Sequence, residues 1–204
     1  MGKGSNAKAA PIGAPDNNEE ISKLGFVDLL FAVAVDIGIT HGFLKLRWVD
    51  AWSLPENGEM FKTFSLLLGF TTLVLSWIGY HKSIAQKPVH GSGRFIIDIS
   101  LVLFYTVLLI KFDDFSAIVQ LLAVIYTLYF VWDIFKVVEY SAMYNVDPHR
   151  IKRYAREWVS LLWAIVFGAF FVFKIMNVFS NETLIWLCFV GTIVYRLHKG
   201  KANS

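Results

Sequence analysis

The chain has 204 residues, 56% of them hydrophobic and 17% charged, with a formal net charge of +3. That balance is too apolar for an ordinary soluble domain of this length and indicates an integral membrane protein. The single cysteine, Cys188, excludes an intrachain disulfide, and a lone thiol inside an apolar run reads as a small core residue.

Residues 1–20 are rich in Gly, Ala, Pro and Asn, with no apolar run directly behind the lysines. They read as a disordered cytoplasmic tail rather than a signal peptide or a helix. Asn6 stands where an acylation signal after Met1-Gly2 would need Ser or Thr, so lipidation is not expected.

The stretch 24–46 is apolar apart from Asp28, Asp36, Thr40, His41 and Lys45. At about 1.5 Å per residue it is long enough to cross a hydrocarbon core of about 30 Å. Asp36 falls near mid-depth, where a carboxylate facing lipid costs roughly 2.5–3.5 kcal/mol. A turn of about 100° per residue puts Leu29, Val33, Asp36, Thr40 and Phe43 on one stripe, with Asp28 and Ala32 at its margin. The stripe is expected to face a bundle interior or a water-filled path, and the alternative role for Asp36 is a structural clamp on a neighbouring helix.

Further apolar runs fall at 61–80, 95–112, 116–136, 158–176 and 183–197, which makes six. The expected fold is all-α and polytopic, with six transmembrane helices over residues 21–198 and a short cytoplasmic C-terminus at 199–204. Loops then alternate sides. The tail (Lys3, Lys8, Lys23), the second loop (Lys82, Lys87, Arg94), the fourth (Lys136, Arg150, Lys152, Arg153, Arg156) and the C-terminus (Arg196, Lys199, Lys201) carry most of the basic residues. The other loops carry only Lys45, Arg47, Lys62, Lys111 and Lys174. An excess of Lys and Arg on one side puts both termini in the cytoplasm. The loop 47–60 mixes Trp48 and Trp52 with turn residues and is expected to lie along the outer interface. Asn181-Glu182-Thr183 matches a glycosylation acceptor by chance, so close to the membrane does it fall.

In the fourth loop Asp147-Pro148 supplies a helix cap followed by proline at the first helical position. The helix it starts would hold Arg150, Lys152, Arg153 and Arg156 at head-group height, as an anchor for anionic lipid in preference to a specific phosphate site. Asp133, Lys136 and Glu139 are spaced three apart and are expected to neutralise one another. Asp98 is expected in the first turn of its helix, against the positive end of the dipole.

His41 and His81 fall at opposite surfaces, and no Cys or His cluster has the spacing of a metal or haem site. No catalytic signature is present. The reading is therefore not an enzyme, with no cofactor, no metal and no nucleic-acid partner. An acid at mid-depth with a hydroxyl one turn on suits a cation path when repeated around an axis, since carboxylates attract cations and apolar rings gate by dewetting. A chain this small needs copies of itself to enclose one, so a homo-oligomer is expected, tetramer ahead of dimer.

Gly25-Phe26-Val27-Asp28 followed by Leu-Leu-Phe-Ala-Val-Ala-Val resembles the first helix of the six-helix endolysosomal and prokaryotic potassium channels, which open it with a Phe-Ser-Asp motif. Residues 64–81, ending in Trp77 and His81, resemble that family's second helix. Val27 stands in place of the motif serine, and Ser22 in place of the family's arginine. The resemblance implies an inner-surface network of Phe26, Asp28, Trp77 and His81. It also implies a constriction at Val33 and a polar layer at Asp36. The ion pathway expected is Asp28, Val33, Asp36 and Thr40, conducting monovalent cations, potassium among them. The membrane would be the cell membrane in a prokaryote. Two alternatives stand beside it: a non-conducting adaptor or effector subunit using the basic fourth loop, and a proton-coupled transporter using Asp28 and Asp36.

Overall fold

The computed structural model describes residues 17–45, 57–86, 92–144 and 157–200. These form six helices: α1 (Asn17–Lys45), α2 (Asn57–Gln86), α3 (Ser92–Ile110), α4 (Phe115–Tyr144), α5 (Glu157–Ile175) and α6 (Asn181–Gly200). Five of them contain windows long and apolar enough to cross a membrane: Ser22–Gly42, Phe61–Ile84, Ser92–Ile110, Phe115–Glu139 and Trp158–Ile175. The sixth expected span falls in α6, which is not among these five: Glu182 at its start and Arg196 and Lys199 at its end leave the apolar run between them short.

Several boundaries differ from the sequence reading. α1 begins at Asn17, inside the expected tail. α2 begins at Asn57, so the last residues of the expected interfacial loop are helical. α3 begins at Ser92, which puts Asp98 beyond the first turn and removes the dipole role expected for it. The Asp147-Pro148 start and the basic residues Arg150, Lys152, Arg153 and Arg156 lie outside the described residues, as do Trp48 and Trp52.

The helix ends follow from local chemistry. Asp114 caps α4 by accepting a hydrogen bond from the Ala117 amide at 3.1 Å. Ser180 caps α6 in the same way through the Thr183 amide at 3.2 Å. α5 closes through Asn177, at φ 52°, with the Val178 amide bonded back to the Phe173 carbonyl. Asparagine tolerates that left-handed conformation better than most residues, and the loop satisfies the carbonyls the helix leaves open.

Packing runs around a ring, α1 to α3 to α4 to α5 to α6 to α2 and back to α1, with α2 also against α3. Successive helices alternate in direction. Asp28 near the start of α1 meets His81 near the end of α2, and Arg94 at the start of α3 meets Glu139 late in α4. At the other end Phe61 of α2 packs edge-on against Phe115 of α4. The core is aromatic and aliphatic, with Phe31, Leu73, Tyr105, Leu109, Leu122, Tyr126 and Phe167 among its buried residues. Gly38 lets α1 approach this core, because a Cβ there would lie 2.7 Å from Leu109 Cδ1 and 3.0 Å from Phe70.

Candidate functional site

α1 turns Val27, Phe31, Ala34 and Gly38 into the bundle. The opposite stripe, with Leu29 (60% exposed), Val33, Asp36 and Thr40, is exposed along the outside of the single chain. Of the two surroundings expected for this stripe, a bundle interior or a water-filled path, the interior of the single chain is not the one it has. The physical reason is size: Val27, Phe31 and Ala34, with Gly38, give α1 a face that α3 can meet closely, whereas the Asp36 side cannot be packed without burying a charge.

Asp28 is half-buried at the edge of that stripe and is tied to α2. It accepts a hydrogen bond from Trp77 Nε1 at 3.1 Å and shares one with His81 Nε2 at 2.8 Å. Trp77 and His81 lie edge-on to each other with centroids 4.8 Å apart. Phe26 takes no part in these hydrogen bonds; its ring packs on Phe95 of α3 at 6.0 Å. Asp28, Trp77 and His81 thus meet at one end of the bundle, while Val33, Asp36 and Thr40 continue outward along α1 from there.

A second polar region lies inside the ring. Tyr105 and Tyr129 each donate to Ser76 Oγ at 2.6 Å, and Arg196 donates to the Tyr129 hydroxyl. Asp133 accepts from Lys199 and, at 2.5 Å, from Ser160, which in turn receives Lys199 Nζ at 2.8 Å. These bonds link α2 through α6. The Asp133, Lys136 and Glu139 series also reaches outside its own helix: Lys136 donates to Ser83 of α2 at 2.9 Å, and Glu139 pairs with Arg94 of α3 at 3.5 Å. Arg94, counted from the sequence as a loop cation, is fully buried and stacks 4.6 Å above the Trp132 ring.

Beside this region the helices enclose a mainly apolar cavity of about 590 Å³, lined from α2, α3, α4 and α6 with Phe31 of α1 at one wall. The basic residues in its lining are Lys82, Lys136, Arg196 and Lys199; the acids are Asp98 and Asp133. Sequence reasoning missed this cluster because its basic members were counted as loop or tail charges, Asp98 was assigned to a helix dipole and Asp133 to an ion-pair series within its own helix. The spacing of Tyr129, Trp132, Asp133 and Lys136 on one face of α4 was the only signal for it.

Among the described residues no group of three or more His, Cys, Asp or Glu could hold a metal ion. Cys188 is buried in the core of α6. Comparison with protein-family models, curated proteins and solved structures finds no match for this chain.

Proposed function

We propose that this chain is the subunit of an oligomeric, potassium-permeable cation channel in which α1 of each copy lines the pore. The chain would span the membrane six times, α6 included, with both termini cytoplasmic as the distribution of Lys and Arg favours. One observation carries the reading: Asp36 and Thr40 lie exposed on the outside of the chain, inside an apolar window that runs from Ser22 to Gly42. Facing lipid, the carboxylate alone would cost about 3 kcal/mol. Facing an axis shared with other copies, it is hydrated and draws cations, Thr40 replaces part of their hydration shell, and a ring of Val33 forms the apolar gate.

The likeness of Phe26-Val27-Asp28 and of Trp77 with His81 to the six-helix potassium channels supports the same arrangement. The Asp28 hydrogen bonds to Trp77 and His81 would hold the entrance of α1 at the cytoplasmic end.

Currents in reconstituted bilayers test it. The wild-type chain is expected to pass potassium in preference to chloride, and Asp36→Asn is expected to lower both conductance and cation preference. Unchanged currents in Asp36→Asn would remove that residue from the pathway. Proton-driven uptake without unitary currents would instead mark a transporter.

A further inference from the structure

The cavity inside the ring is a different site from the α1 stripe, and its chemistry is that of an amphiphile. Its wall is mostly apolar, yet its polar end gathers four cationic side chains against two carboxylates, an excess of positive charge. Ile78 of α2 and Leu197 of α6 line it and are 52% and 59% exposed, which puts its mouth at the seam between those two helices, on the side a membrane would cover. Gly79 makes room for the Arg196 guanidinium at that seam, since a Cβ at this position would lie 2.6 Å from Arg196 Nη1. Within the same end, Asp98 Oδ2 and Asp133 Oδ1 are buried without a hydrogen-bond partner among the described residues. Buried acceptors of this kind call for donors.

We infer that this cavity binds an anionic phospholipid whose head group carries hydroxyls, entering laterally between α2 and α6. The phosphate lies against Arg196, Lys199 and Lys136, where charge-assisted hydrogen bonds are strongest. The head-group hydroxyls donate to Asp98 and Asp133. An acyl chain leaves along Ile78, Ile193 and Leu197. A volume of about 590 Å³ accepts a head group and the first part of a chain, and a basic pocket between membrane helices is the form such lipid sites take.

The full-length protein, purified in detergent, is titrated with phosphatidylglycerol and with phosphatidylcholine of matched acyl chains, and bound lipid is counted by native mass spectrometry. Phosphatidylglycerol is expected to bind about ten-fold more tightly, a difference of about 1.4 kcal/mol. Arg196→Gln is expected to remove most of that preference. Ile193→Trp, which leaves every charge in place and fills the mouth, is expected to weaken binding of both lipids, and it decides the matter if Arg196→Gln does not fold. Inorganic phosphate at equal concentration is expected not to displace the lipid. Equal binding of the two lipids, binding unaltered by Ile193→Trp, or full displacement by inorganic phosphate would each overturn the assignment, the last by marking a soluble-phosphate site.

Discussion

Asp133 and Asp36 are both carboxylates within apolar helices, and the fold gives them opposite surroundings. Asp133 is 1% exposed and is met by Ser160 of α5 and Lys199 of α6. Asp36 projects from the outer face of α1, away from the core that Val27, Phe31 and Ala34 join. A buried charge with partners from two other helices holds the bundle together within one chain. A charge left outside an otherwise apolar helix is stable only if something beyond the chain hydrates or covers it. The contrast separates a residue that holds the fold together from one that the packing of the single chain does not use.

The sharpest way to break that contrast is to strip Asp133 of its role. Asp133→Ala leaves Lys199 beside Ser160 without its carboxylate, and removing one partner of a buried pair costs about 3 kcal/mol or more. A fall of that size is expected in unfolding by denaturing detergent. The double substitution Asp133→Leu with Lys199→Leu is expected to recover most of it, because no charge is then stranded. A single variant as stable as wild type would place Asp133 with Asp36 rather than against it.

Packing of α1 gives the next effect. Gly38→Val drives a side chain into Leu109 and Phe70, already within 3.0 Å of an added Cβ, and overpacking of this kind costs about 1–3 kcal/mol. The same denaturation measures it. A neutral result would mean that α1 does not dock on α3 through this face, and the outward direction of Asp36 would lose its basis.

How much of this was legible in the sequence depends on what fixed each feature. The five apolar helices follow from composition and length, and the structure has them where the runs are. The α1 stripe was legible as a stripe, since Leu29, Val33, Asp36 and Thr40 share a face by helical geometry alone. Its direction was not, because a sequence does not say which face the neighbouring helix takes. The contact of Asp28 with Trp77 and His81 came from a family likeness and not from spacing, the partners being 49 and 53 residues away. Arg94, Arg196 and Lys199 were read as loop or tail charges, since their partners lie on other helices and their burial depends on where the ring closes. Asp98 was misplaced by a helix start three residues out.

Asp28 lies between the two extremes, tied to α2 but about a third exposed, with His81 equally so. Solvent screens such a pair, so Asp28→Ala is expected to cost only about 1 kcal/mol. Trp77 emission should shift as its indole loses the acceptor 3.1 Å away. A loss as large as that of Asp133→Ala would make the Asp28 network part of the internal scaffold.

Thr40→Val should have the smallest effect on the chain alone. The residue is exposed, valine matches its shape, and substitutions at such positions change stability by no more than about 0.5 kcal/mol. If α1 faces lipid, the change removes a hydroxyl from hydrocarbon and leaves every other property as it was. If α1 lines a shared cation path, each copy in the assembly loses one hydration-replacing oxygen at the same depth, and conductance falls although the subunit folds as before. A reconstituted Thr40→Val protein of wild-type stability with reduced potassium current would separate the assembly's chemistry from the chain's. Equal current with equal stability would return Thr40, and the face it shares with Asp36, to the membrane.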